Sequence, residues 1–173
     1  MTTLALLALL PFPALVIVAA LRDATSMTIP NWISVSLAGA FLIAALFVRL
    51  PLPFLGTAAL AGVVVLAAGV AMFALRWLGG GDAKLLAACA LWLGWSGLTP
   101  LIIYTGVAGG VLTLSLLASR RAAEVYALRG PAWVDRLLTP GGDVPYGIAI
   151  AAGALAAFPQ SPLMAAFLRV NGS

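Results

Sequence analysis

The sequence predicts an all-α, polytopic membrane protein with about six transmembrane helices. Hydrophobic residues make up 64% of its 173 residues and charged residues only 8%, whereas about a quarter of a soluble globular domain is charged. Nine basic and five acidic side chains cannot cover the surface of a soluble fold of this size. The apolar residues form long runs, which are typical of membrane helices and not of the alternating strands of a transmembrane barrel.

Six apolar segments are each interpreted as one helix. They comprise residues 4–21, 33–48, 54–75, the stretch from the glycine run 79–81 to residue 93, 98–118 and 144–158. Pro11 and Pro13 are tolerable in the first helix because membrane helices accommodate proline. Residues 1–10 carry no positive charge, which argues against a secretory signal. Helices 4 and 6 are short for a full crossing.

The remaining segments are predicted to be irregular. Residues 119–142 are interpreted as a solvated amphipathic segment on the membrane surface, and a short tail follows helix 6. The tryptophans lie near predicted helix ends, where interfacial anchoring accounts for them: Trp32, Trp77, Trp92, Trp95 and Trp133. We expect one transmembrane domain comprising residues 1–173.

The charged residues are distributed unequally between the two ends of the predicted bundle. The loops after helices 1, 3 and 5 hold seven basic residues: Arg22, Arg76, Lys84, Arg120, Arg121, Arg129 and Arg136. Only Arg49 and Arg169 lie on the other side. The positive-inside rule therefore places those loops in the cytoplasm and both termini outside. All five acids share the cytoplasmic side: Asp23, Asp82, Glu124, Asp135 and Asp143.

The composition excludes several kinds of catalytic site. The chain has no His and a single cysteine, Cys89. Serine–histidine triads, the HExxH zinc motif, an intramolecular disulfide and cysteine zinc cages are therefore impossible. No metal or other cofactor is predicted. The excess of basic residues is explained by membrane topology, so no nucleic-acid partner is expected.

Two carboxylates stand out, because ionisable groups at membrane helices are costly and by default suggest function. Asp23 lies at the end of helix 1, and Asp82 follows three glycines at the start of helix 4. Asp82 is also a suitable N-cap, and Asp23 could be a solvated loop charge. However, a helix C-terminus is a poor place for a purely structural carboxylate. Three glycines permit close backbone approach and positive φ, at an entropic cost that a cap does not require.

Two carboxyls at the same membrane face can form an acid–base pair. One activates water while the other protonates a scissile carbonyl. The helix dipoles favour Asp23, at a C-terminus, as the protonated acid and Asp82, at an N-terminus, as the carboxylate.

The two motifs resemble those of the type IV prepilin peptidases, which are intramembrane aspartyl proteases of the GxGD class. The resemblance depends on Asp23 followed by Ile29-Pro30-Asn31, and on Gly79-Gly80-Gly81-Asp82-Ala83-Lys84. The segment Pro145-Tyr146-Gly147 is similar to one found in the short forms associated with tight-adherence (Flp-type) pili.

The resemblance implies that Asp23 and Asp82 are catalytic and that Gly79 and Gly81 are the motif glycines. It implies removal of the basic leader from prepilins at the cytoplasmic face of the bacterial inner membrane, just before the prepilin's hydrophobic segment. Longer relatives also carry a cysteine-rich insert and N-methylate the product. With one Cys and no CxxC pair, this chain is expected to be a peptidase without that activity. No oligomeric state follows from the sequence.

The other motif residues have two interpretations each. Lys84 either tunes Asp82 electrostatically or is only a topological charge, and Asn31 either bonds near the substrate or caps helix 2. Tyr146 and Gly147 can simply pack helix 6 closely against the catalytic helices. Because a basic leader favours an acidic recognition site, Asp143 and Glu124 are candidates for that role.

Two other functions compete with the peptidase. In a small transporter or channel component, the aspartates would relay ions and the glycines would mark a broken helix. In a structural subunit of a secretion or pilus complex, they would be loop caps. A transporter usually shows repeated halves or charges near the bilayer midplane, and this sequence shows neither. The peptidase is therefore the preferred interpretation.

Overall fold

The computed structural model describes residues 2–126 and 130–171, which form eight α-helices and one 3₁₀ turn, with no strand among them. The helices are α1 (Thr2–Leu9), α2 (Pro11–Ser26), α3 (Asn31–Phe47), α4 (Leu52–Ala74), α5 (Gly80–Val125), α6 (Ala132–Leu138), α7 (Tyr146–Ala157) and α8 (Pro162–Asn171). The 3₁₀ turn, Phe158–Gln160, joins α7 to α8. Of the basic residues used for topology, Arg129 lies outside the described residues.

Four helical stretches of the described chain are long and apolar enough to cross a membrane. They are Leu6–Ser26, Leu52–Ala74, Gly80–Val125 and Tyr146–Arg169, and α3 is a shorter apolar helix of 17 residues. The predicted class, an all-α polytopic membrane protein, is confirmed. α1 and α2 together correspond to predicted helix 1, since Pro11 opens α2 without a loop before it.

A backbone break divides α5 at Gly94. A straight helix of 46 residues would be about 69 Å long, roughly twice the hydrocarbon thickness of a bilayer. Gly94 has φ 58° and ψ −172°, a combination that essentially only glycine adopts. The break separates residues 80–93 from 95–125, which correspond to predicted helices 4 and 5.

Two segments predicted to be irregular are helical. α5 continues past residue 118 to Val125, and the polar stretch after it contains α6. No glycine or proline occurs between Ser119 and Gly130 to end the helix. The expected tail is α8, whose first turn is capped by the Ser161 hydroxyl accepting from the Met164 N–H at 3.1 Å.

The core is centred on Trp92, which is fully buried. Its indole N–H donates to the Leu37 carbonyl of α3 at 2.8 Å, and its ring lies 5.0 Å from Phe12 and 5.9 Å from Phe41. The prediction of an interfacial anchor is therefore wrong for Trp92, because its only polar atom is satisfied inside the bundle. The other four tryptophans are exposed: Trp32, Trp77, Trp95 and Trp133.

α5 organises the remaining helices. It packs most extensively against α4 and α7, and α7 also packs against α2. The end of α2, the start of α5 and the start of α7 therefore meet at one end of the bundle.

Candidate active site

A cavity of about 860 Å³ lies where these helix ends meet, and both Asp23 and Asp82 line it. Asp23 is 6% exposed and Asp82 is half-buried. The carboxyls are close enough for the charge on Asp23 to act on Asp82. The fold thus brings together the two aspartates that the sequence singled out.

Asp23 accepts a hydrogen bond from the start of α7. The Gly147 N–H donates to its Oδ2 at 2.7 Å. A Cβ on Gly147 would lie 2.8 Å from that oxygen and 2.9 Å from the Asp23 Cβ, so a larger residue would push the two helices apart. Of the segment Pro145-Tyr146-Gly147, the glycine thus has a direct contact with the candidate catalytic carboxyl.

The hydrogen bond from Gly147 to Asp23 removes the basis for predicting from helix dipoles which aspartate is protonated. Asp23 lies near the C-terminus of its own helix, α2, but its carboxyl accepts from the second residue of α7. Asp82 lies in the first turn of α5. Both carboxyls therefore lie at a helix N-terminus, and the dipoles do not distinguish an acid from a base.

Asp82 is the third residue of α5, and Gly79 is the N-cap, in place of the predicted Asp82. The Asp82 carboxyl turns back towards Gly79, where an added Cβ would lie 2.8 Å from its Oδ2; the third side chain of a helix takes this direction in a capping box. The other oxygen, Oδ1, is buried and has no hydrogen-bond partner among the described residues. Buried polar atoms are usually paired, so this oxygen is an exception that the packing around α5 leaves without a partner.

The glycines before Asp82 allow close approach without unusual backbone angles. The sequence suggests two reasons for these glycines, close backbone approach and positive φ. None of the three has positive φ, so the second reason does not apply. A Cβ on Gly79 would lie 2.8 Å from the Asp82 Oδ2, and a Cβ on Gly81 would lie 3.1 Å from the Ile29 Cβ. Packing thus leaves little room for a side chain at Gly79 and Gly81.

The Ile29-Pro30-Asn31 segment connects α2 to α3 and contacts α5. Pro30 is the N-cap of α3 with extended angles, and Asn31 is the first helical residue, so Asn31 is not the cap. Its side-chain oxygen accepts from the Lys84 Nζ at 2.8 Å. Lys84 and Asn31 line a separate groove between α3, α4 and α5, and neither lines the aspartate cavity.

The remaining charged groups of the cavity are Asp143 and Arg76. With Asp23 and Asp82 they give three carboxyls to one guanidinium. Glu124, the second acid considered for substrate recognition, is exposed on α5 and does not line this cavity. Tyr146 lines the cavity and packs against Gly109 of α5, where a Cβ would lie 3.1 Å from the Tyr146 ring.

Arg120 is the residue near the site that the sequence analysis missed. It is 9% exposed and donates to the carbonyls of Leu137 and Asp143 at 2.8 Å and 2.7 Å. The uninterrupted helix-forming sequence after residue 118 could have indicated that it lies on α5. Nothing in the local pattern separates it from its exposed neighbour Arg121.

These features define an all-helical, multi-pass membrane protein with a pair of interacting carboxyls in a cavity at one end of the bundle. A model of the type IV leader peptidase family matches residues 10–114, more than half of the chain. The chain belongs to this family. The matched region contains Asp23, Ile29-Pro30-Asn31 and the glycine–aspartate motif at 79–82.

Membership gives the general role. The protein is a prepilin leader peptidase of the bacterial inner membrane, with prepilin-type substrates. Searches of curated proteins and of solved structures gave no match.

Proposed function

We propose that the chain is an aspartic endopeptidase in which Asp23 and Asp82 together hydrolyse the bond between a prepilin's basic leader and its hydrophobic segment. The observation that supports this most directly is that aspartates from two sequence-distant helices line the same cavity. Among the described residues, neither carboxyl forms a hydrogen bond to a basic side chain that would explain it as a structural ion pair.

The proposed reaction needs only water and the two carboxyls. One carboxylate takes a proton from water as the water oxygen bonds to the scissile carbonyl carbon, and the other carboxyl gives its proton to the carbonyl oxygen. The tetrahedral product then collapses, the C–N bond breaks, and the amine leaves with a proton. Asp82 is the more exposed of the two cavity carboxyls, which favours it as the group that meets water.

The position of the cavity fits the junction of a prepilin. The cavity lies at the ends of apolar helices, where a substrate passes from its leader to its membrane-embedded segment. Arg76 lines the cavity, Arg120 of α5 bonds to the Asp143 carbonyl beside it, and Arg136 lies in α6. The positive-inside rule therefore supports a cytoplasmic position. We further propose that the protein cleaves without N-methylating the product and is a short, Flp-type member.

The test is cleavage of a synthetic prepilin peptide by the purified protein in liposomes, followed by mass spectrometry. Asp23→Asn and Asp82→Asn preserve side-chain shape but remove the carboxylate. We expect each to lower the rate by about 1000-fold, equivalent to ~4 kcal/mol in the activation barrier. Full activity of either variant would contradict the proposal.

Glu124→Gln is the matched control. It removes an acid from the same end of the bundle but outside the cavity, and we expect the wild-type rate. When S-adenosylmethionine is added as a methyl donor, the mass of the product also reports whether a methyl group has been transferred to it.

A further inference from the structure

Arg120 forms a clamp between α5 and the segment that precedes α7. Its Nε donates to the Leu137 carbonyl at 2.8 Å, and its Nη2 donates to the Asp143 carbonyl at 2.7 Å. These two N–H groups lie on one edge of the planar guanidinium, which is the geometry that suits two fixed acceptors. The acceptors stand on either side of the turn at Gly141, whose φ is 71°.

The burial of Arg120 is not explained by membrane topology. A charge that only orients the chain can remain in water, as the adjacent Arg121 does. Removing a guanidinium from water is costly unless it is well hydrogen-bonded. The two carbonyls meet this requirement for Arg120, so the side chain has a role that Arg121 lacks.

The clamped segment forms one wall of the aspartate cavity. Asp143 and Tyr146 line the cavity, and the Gly147 N–H that follows them bonds to Asp23. A shift of the segment would therefore move both the wall and the donor to Asp23. Gly142 fits the tight turn of this segment, because a Cβ there would lie 3.1 Å from the Thr139 carbonyl oxygen.

We propose that Arg120 is a positioning residue that fixes the segment from Leu137 to Asp143, and through it the Asp143 side chain and the Gly147 donor. The catalytic part of this inference rests on the proposed function. The clamp itself does not, and it can be measured without substrate.

The first measurement uses a spin label on Thr139→Cys, an exposed position within the clamped segment. The native Cys89 is fully buried, so it should not be labelled in the folded protein. We expect an immobilised label in the parent. It should become mobile in Arg120→Lys, which keeps the charge but loses the planar two-point contact, and in Arg120→Gln. Arg121→Lys and Arg121→Gln are controls and should leave it immobilised.

The second measurement is peptide cleavage, normalised to the helical content of each variant. We expect both Arg120 variants to lower kcat about tenfold and to raise KM for a basic leader several-fold, since Asp143 moves with the segment. The Arg121 variants should match the parent. A loss of folded protein alone would lower the apparent kcat and leave KM unchanged.

Unchanged label mobility in Arg120→Lys, or full activity of that variant, would overturn the inference, because a topological charge is fully replaced by lysine. If the parent protein cleaves no prepilin, the proposed function fails and the label mobility alone decides whether the clamp exists.

Discussion

At the scale of single residues, Ile29 lies between two glycines from different helices. A Cβ on Gly81 would lie 3.1 Å from the Ile29 Cβ, and a Cβ on Gly147 would lie 2.9 Å from the Ile29 Cδ1. The Ile29 side chain thus packs against both α5 and α7. α5 carries Asp82, and α7 carries the N–H that donates to Asp23. The sequence motifs identified these glycines, but the contact that requires them became visible only in the folded chain.

Asp143 allows a test of whether the cavity recognises the positive charge of a substrate leader. It is exposed and lines the cavity beside the two aspartates. We expect Asp143→Asn to raise KM for a basic-leader peptide roughly fivefold, about 1 kcal/mol, the scale of a partly solvated ion pair. A peptide with a neutral leader should show no change. Glu124→Gln is the control, and an equal effect on both peptides would contradict a charge-recognition role.

At the scale of elements, α5 carries one of the two candidate aspartates and the backbone break at Gly94. Its first residues carry the glycine–aspartate motif, its break at Gly94 divides two predicted helices, and its last turns hold Arg120. The break was predictable approximately, because apolar runs end and restart near it. The polar composition after residue 118 predicts a loop, but the helix extends to Val125 because no helix-breaking residue is present there.

Replacing Gly94 or Gly56 by alanine should change the free energy of unfolding in opposite directions. Gly94→Ala forces a side chain into a glycine-only conformation and places a Cβ 3.1 Å from Pro162. We expect it to lower the free energy of unfolding by about 2 kcal/mol. Gly56→Ala lies inside α4 with nothing within 4 Å of the added Cβ, and should raise it by roughly 0.5–1 kcal/mol. Thermal unfolding in detergent measures both; equal stability of the two variants would contradict the assigned backbone conformation.

At the scale of the whole molecule, charged residues are grouped in two separate cavities. The carboxyls Asp23, Asp82 and Asp143 share one cavity. Arg49 and Arg169 line a different cavity. Arg76 lines the aspartate cavity and Arg120 bonds to the Asp143 carbonyl, and the excess of basic residues on this side is the basis of the proposed orientation.

The orientation can be measured with single cysteines and a membrane-impermeant maleimide. Thr139→Cys lies near the aspartate cavity, and Leu52→Cys is exposed where α4 begins. In intact cells we expect labelling of Leu52→Cys and not of Thr139→Cys, and the opposite in inverted vesicles. The parent, with only the buried Cys89, should remain unlabelled. The reverse pattern would place the site outside the cytoplasm.

The sequence by itself determined the membrane class, most helix segments and the two candidate aspartates, because hydropathy, prolines and glycine motifs act over a few neighbouring residues. Only the tertiary structure decided that Gly147 donates to Asp23, that Lys84 bonds to Asn31 outside the aspartate cavity, and that Arg120 is buried while Arg121 is exposed. These outcomes depend on partners from distant parts of the chain. Such partners are set by how helices pack and not by the spacing of residues along one helix.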